Sequence, residues 1–358
     1  MTMRPCWQTA LLTAVAAVLL ASLPDGACAQ SAQATTPIAS GVVKIGLILD
    51  MSGPYSDTTG VGSATAAKMA VEDFGGRVLG APIEVLIADH QNSADRAAVI
   101  ARDWFETRHV DAIMDVAGSS EAQIVQGIAD TRHKIVILNA AVAERLSNEA
   151  CTATSIHYTF DTHAIADTVG AALVARGDDT WFFITVDYSF GYDLETDTSE
   201  VVTKSGGKVL GRARYPLDAR DFTSYLARAK ESGAKVIGLA NAGRDLTDTI
   251  RQAAQRGMIP GPQVFAGLAL RINGVHELGL DTTQGMMLSE SFYWDTDEAS
   301  RAWSKRFFDR VNQMPNSVQA GVYSSTMHYL RAVAAAGTDE TEAVMKAIAP
   351  PRKNPRRP

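Results

Sequence analysis

The chain has 358 residues, 46% hydrophobic and 20% charged, with a formal net charge of −7. That length suits a protein of about two domains with a buried core. The acidic balance argues against a nucleic-acid partner or an anionic membrane surface, each of which needs clustered positive charge.

Residues 1–29 read as a cleaved signal peptide. Arg4 supplies a positive start, an apolar run follows from about Ala10 to Leu23, and Ala27-Cys28-Ala29 has the small residues of a cleavage site. The run is too short for a stable membrane span. A lipid anchor at Cys28 is the competing reading, and Asp25 stands where such signals normally carry an aliphatic residue. Cleavage leaves Cys151 as a lone cysteine, so the exported chain has no intramolecular disulfide and rests on its core.

From Val42 the pattern alternates. "VVKIGLILD" reads as a buried strand, and "GSATAAKMAVEDF" (Gly62–Phe74) as an amphipathic helix. "APIEVLIADH", "VDAIMDVA" and "HKIVILNA" are further strands, separated by helices at "ADRAAVIARDWFE" and after Ser119. Continuous apolar strands divided by helices predict parallel sheets covered on both faces. The rhythm restarts after Cys151. Strands are expected at "TWFFITVDYSF" (Thr180–Phe190), "GGKVLGRARYP", "AKVIGLANA", "QVFAGLAL" and "GMMLSES". Helices lie between them, and a last set runs from about Glu298 to Ile348. Two such sheets place a ligand cleft between them, at the carboxyl ends of the strands.

The residues just after the strands are therefore the candidates. The first strand empties into "DMSGPYSDTTGVG", where Gly53 and Pro54 turn the chain and leave Tyr55 near the opening. Gly60 and Gly62 do not make a dinucleotide fingerprint, because a long loop separates them from the strand. The third strand empties into Gly118-Ser119-Ser120. A helix N-terminus carries about half a positive charge and leaves its first N–H groups unpaired, so a carboxylate is held there without lysine or arginine. The plainer alternative is a serine that only caps the helix. Ala140 and Ala141, after the fourth strand, let a ligand approach the backbone. Tyr188, Phe190 and Tyr192 offer aromatic walls. Asn241 heads "NAGRD", whose Arg244 and Asp245 also read as an ordinary surface pair. There is no nucleophile elbow. His157 and His163 lack zinc-ligand spacing, and nothing beside Cys151 activates it. No metal or cofactor is expected.

"VKIGLILDMSGPY", "GSS" after the third strand, "DYSFG" and "VIGLANAG", behind a signal peptide, together resemble the periplasmic solute-binding proteins of ATP-driven (ABC) importers, of the branched-chain amino-acid, leucine-binding type. The resemblance runs from about Val42 to Ile348. It implies an α/β fold of two Rossmann-like lobes with parallel sheets, joined by three crossing strands and closing on a small solute. Lobe 1 would be 42–157 and 291–348, and lobe 2 158–290. It implies a monomeric, non-enzymatic periplasmic receptor that delivers an amino acid or related small carboxylate to an inner-membrane permease. By resemblance Ser119 and Ser120 hold the carboxylate, Ala140 and Ala141 give backbone contacts, Val142 stands where relatives have a threonine, and Phe190 covers the solute. Leu268 falls where amino-acid binders place an acid for the ammonium. Either Asp187, Asp245 or another carboxylate substitutes, or the solute is an aromatic or aliphatic acid, or an amide, without an ammonium. A hydrolase or sensor on the same fold is a further alternative. The basic tail "APPRKNPRRP" (349–358) is expected to be unstructured. By resemblance it begins where the family continues into a third crossing strand, and the hypothesis is a reading frame lost near Ala349. Translating the downstream DNA in the other frames tests this.

Overall fold

The computed structural model describes residues 38–348. The signal-peptide reading and the basic tail lie outside them.

β1 (Val43–Leu49) is buried at every position but Lys44. It is followed by α1 (Gly60–Phe74), the hairpin β2 (Arg77–Val78) and β3 (Ala81–Asp89), α2 (Ala94–Glu106), β4 (Ala112–Val116), α3 (Ser119–Asp130), β5 (Ile135–Leu138) and β6 (Ser155–His157). The strands order as β2-β3-β1-β4-β5-β6. All pairs are parallel except the hairpin. The chain then crosses to a helical stretch made of α4 (Thr162–Ile165), a π-turn at Ala166–Gly170 and α5 (Ala171–Ala175). There follow β7 (Thr180–Val186), α6 (Ser189–Lys204), β8 (Lys208–Tyr215), α7 (Thr223–Glu231), β9 (Val236–Ala240), α8 (Gly243–Gln255), β10 (Val264–Ala266), α9 (Ile272–Leu278) and α10 (Leu280–Thr283). This second sheet is wholly parallel, in the order β10-β9-β7-β8. α11 (Glu298–Val311), α12 (Ser317–Ala336) and α13 (Thr341–Ile348) return to the first lobe.

The cores explain the layering. One face of the first sheet buries Val43, Ile45 and Leu47 with Phe307, Val322, Tyr329, Leu330 and Val344 of the C-terminal helices. The opposite face buries Ile48 and Ile113 under Trp104 and Phe105 of α2. Both faces are covered, as the continuous apolar strands require. The second lobe has its own cluster around Trp181, Phe183, Phe222 and Leu239. Asn316 and Gln319 form a reciprocal capping box that starts α12, closing two of the helix's open backbone donors.

Each sheet reverses direction once. In the first, connections leave β1 and β4 toward opposite sides. In the second, the same holds for β7 and β9. Such a reversal opens a crevice at the carboxyl ends of the two strands. The four loops that border these crevices are those beginning at Asp50, Ala117, Asp187 and Asn241.

Two expectations shift. The strand at Thr180 stops at Val186, because Ser189 already opens α6. The strand at "GMMLSES" is reduced to a single parallel bridge between Ala266 and Met287. Gly285 just before it takes a left-handed φ of 83°, which turns the backbone out of an extended path.

Candidate functional site

The loops after β1, β4, β5, β7, β9 and β10 converge on a cavity between the lobes. Lobe 1 supplies Tyr55, Gly118, Ser119, Ala140 and Val142. Lobe 2 supplies Tyr188, Phe190, Ala242, Ala269 and Arg271.

Tyr55 is placed by Asp50. That carboxylate, fully buried at the end of β1, accepts the N–H groups of Gly53 and of Tyr55, the latter at 2.9 Å, and the Asn92 amide at 2.8 Å. Tyr188 is placed by the turn from β7 into α6. The two phenol oxygens meet across the cleft at 2.7 Å. Burial, with neighbouring charge and phenol groups adding to it, raises the Tyr55 hydroxyl well above its ordinary value, and burial does the same for Tyr188. Both stay neutral, and the pair is an ordinary hydroxyl–hydroxyl bond joining the lobes.

Gly118 is the residue before α3, with a φ of 85°. Neither serine caps the helix. Ser119, 2% exposed, accepts the Ala143 N–H at 3.2 Å. Its own proton has no acceptor among the described residues. Ser120 instead meets Ser189 of lobe 2 at 3.0 Å. A Cβ on Gly118 would fall 2.3 Å from Glu121 Oε2, so the Glu121 carboxyl lies over the helix start. Burial raises that carboxyl above its usual range.

The sequence-based candidates divide. Tyr55, Ser119, Ala140, Tyr188 and Phe190 line the cleft, and Val142 joins them. Ser120, Ala141, Asn241 and Leu268 stand off its wall. Ala141 is buried in lobe 1 beside Val116 and Leu138. Asn241 gives its amide to Tyr215 Oη at 2.8 Å inside lobe 2. Leu268 is fully buried in the lobe 2 core. Neither substitute carboxylate lines the cleft: Asp187 pairs with Tyr192, and Asp245 accepts the Asp218 N–H at 3.0 Å. Arg244 pairs with Asp218 rather than with Asp245. Arg271, absent from the sequence-based candidates, is the charged member of the lining among the described residues. The lining thus includes a basic side chain, where the sequence reading expected none.

The lobes also touch outside the cavity. Arg244 N–H donates to Pro54 O at 2.8 Å, and Asn273 to Asp57 O at 2.9 Å. Arg145 of lobe 1 grips Asp193 of α6 with both arms of its guanidinium. One turn along α6, Asp197 lies near Thr162, Glu144 of lobe 1 and Asp193, and within charge range of Arg145. Burial, then the charges of Glu144 and Asp193, push the Asp197 carboxyl up to about 6, while Thr162 opposes this. Of these causes the Glu144 charge is the one that comes from lobe 1, so closure adds that part of the rise. Closure is therefore favoured at low pH, and that contribution disappears as pH rises through about 6. Ligand binding is expected to be up to about threefold tighter at pH 5 than at pH 7.5, a fraction of the linkage limit because Glu144 is the opposite lobe's share of the shift. Titrations at both pH values on the wild type and Asp197→Asn check this, and an unchanged pH ratio in the variant refutes it.

Among the described residues no helix is long and apolar enough to cross a membrane. A family model described as periplasmic binding protein matches residues 42–349. A periplasmic binding protein of Burkholderia mallei is 47% identical, with a TM-score of 0.84, covering 86% of this chain and 82% of that one. A branched-chain amino-acid ABC transporter periplasmic ligand-binding protein of Burkholderia xenovorans LB400 is 35% identical, with a TM-score of 0.74 and coverage of 85% and 82%. The Leu/Ile/Val-binding protein homolog 6 of Brucella abortus (strain 2308) is 23% identical over 198 residues, 55% of this chain and 50% of that protein. The chain thus spans about half the length of the curated relatives it matches. With its two parallel-sheet lobes and the interlobe cleft, the chain belongs to the periplasmic binding proteins of the branched-chain amino-acid, type I kind.

Proposed function

We propose that this chain is a periplasmic receptor that binds a small carboxylate between its lobes and presents it to an inner-membrane ABC permease, without turning it over. One observation carries the reading. The reversal points of both sheets open onto the same cavity, and the start of α3, with Ser119, forms part of its wall. A carboxylate there meets the helix dipole, one hydroxyl proton and whichever first-turn N–H groups the Glu121 carboxyl leaves free. Solute touching both lobes stabilises the closed form by its differential affinity, and the closed form is what a permease distinguishes.

Calorimetric titration of the purified chain with small carboxylic acids and amino acids tests the reading. Ser119→Ala is expected to weaken binding by about 1–2 kcal/mol, or roughly five- to thirtyfold, as one hydrogen bond to a charged group is lost. Ser120→Ala is expected to cost less, since its partner is Ser189. If Ser119→Ala lowers thermal stability and leaves affinity unchanged, the residue only braces Ala143 and the reading loses its central contact.

A further inference from the structure

Arg271 follows β10 immediately before α9 and is 7% exposed. Its guanidinium lies over the Phe160 ring at 4.3 Å, which fixes its plane. Nη1 donates to Ser289 O at 3.1 Å. The nearest carboxylate, Glu290, stands 3.9 Å away, beyond hydrogen-bond reach. Both Glu290 oxygens are engaged elsewhere: Oε1 accepts the Ile272 N–H at 2.9 Å, and Oε2 accepts the Ser317 hydroxyl. Nε and Nη2 have no hydrogen-bond partner among the described residues, and Arg271 lines the cleft, where the other lining residues are neutral. A buried cation in that state is costly unless a ligand completes its hydrogen bonds. An ammonium placed in the same cavity would meet a like charge and no counter-ion in the lining. Tyr55, Tyr188 and Phe190 supply apolar surface for the remainder of a ligand.

We propose that the solute is an organic acid without an ammonium group, whose anionic group is taken by the Arg271 fork while its apolar body lies against Tyr55, Tyr188 and Phe190. This rests on the receptor reading above and narrows its solute class. Arg271 belongs to lobe 2 and the start of α3 to lobe 1, so an anion drawn to both features favours closure.

Matched probes isolate the ammonium. The purified full chain is titrated with leucine against 4-methylpentanoate, and with phenylalanine against 3-phenylpropanoate and 3-phenylpropanamide. The acids are expected to bind at least about tenfold more tightly than their amino-acid and amide counterparts, the scale of one charge-assisted hydrogen bond. Arg271→Met is expected to weaken the acids by about ten- to a hundredfold and to leave the amide unaffected, with Arg271→Lys between. Amino acids or the amide binding as tightly as the acids overturns the inference and leaves the receptor reading standing. If none of the probes, nor a wider panel of carboxylates, binds a chain that melts cooperatively, both fall. Should Arg271→Met fail to fold, the comparison of matched probes on the wild type still decides.

Discussion

Gly243→Ala is expected to abolish tight solute binding while leaving both lobes folded. Gly243 opens α8 with a φ of 57°. A Cβ there would lie 2.2 Å from Pro54 O and 2.9 Å from the Tyr55 ring. Gly243 belongs to lobe 2 and Pro54 to lobe 1, and the adjacent Arg244 N–H bonds that same Pro54 carbonyl across the gap. The obstacle is backbone, so no rotamer change relieves it. The cost inside lobe 2 alone is that of a left-handed alanine, about 1–2 kcal/mol. The closed form bears several kcal/mol more, and affinity is expected to fall by on the order of a hundredfold or more. Solute titration combined with small-angle scattering checks this: the variant should keep its larger, open radius at solute concentrations that compact the wild type. A variant that binds within threefold of the wild type would show that closure does not bring Gly243 against Pro54.

Much of this architecture is written in the strands. Val43–Leu49 and Ala112–Val116 are apolar at every position but Lys44 and Asp115, a pattern that suits a doubly covered parallel sheet, and the structure buries both strands in that way. Because ligands gather at strand ends, Tyr55, Ser119, Ala140, Tyr188 and Phe190 were legible as positions before any geometry. Where the reading slips, local chemistry is ambiguous. Tyr188, Phe190 and Tyr192 alternate as a strand would, yet Ser189 begins a helix. Whether Asn241 faces solute or core depends on Tyr215, which lies on a different strand. Leu268 attracted attention as a missing acid, but the polar group of that loop sits three residues on, at Arg271. A lone arginine in an aperiodic loop carries no pattern. Its meaning comes from Phe160 and Ser289, which reach it from two of the segments that pass between the lobes.

The second large effect is expected beneath the cleft, at Asp115. This β4 carboxylate is fully buried, and its Oδ1 accepts the N–H groups of Asn139 and Ala140, each at 3.0 Å. It therefore pins the exit of β5, and with it the Ala140 wall of the cavity. Asn139 is further tied to Met114 O at 2.9 Å and to Ser325 of α12 at 3.0 Å. Asp115→Ala leaves two buried donors without an acceptor, and should cost about 2–5 kcal/mol of stability. Asp115→Asn keeps an oxygen acceptor and removes the charge, so it should cost far less. The pH dependence separates the two effects. Burial raises the Asp115 carboxyl to about 6, and the Ala140 and Asn139 N–H bonds only partly oppose it. The folded chain therefore holds a proton that the unfolded chain releases near its ordinary value of 3.8. Stability from this group is present at low pH and is lost as pH rises through about 6, to a limit of about 3 kcal/mol. His90 and His157, lowered by burial, work in the opposite direction over part of that range. The useful quantity is thus the difference between wild type and Asp115→Asn in denaturant midpoint at pH 5 and at pH 7.5. Asp115→Asn should gain on the wild type as pH rises. A constant difference would mean that Asp115 is ionised throughout, held by the two N–H bonds more strongly than its burial opposes.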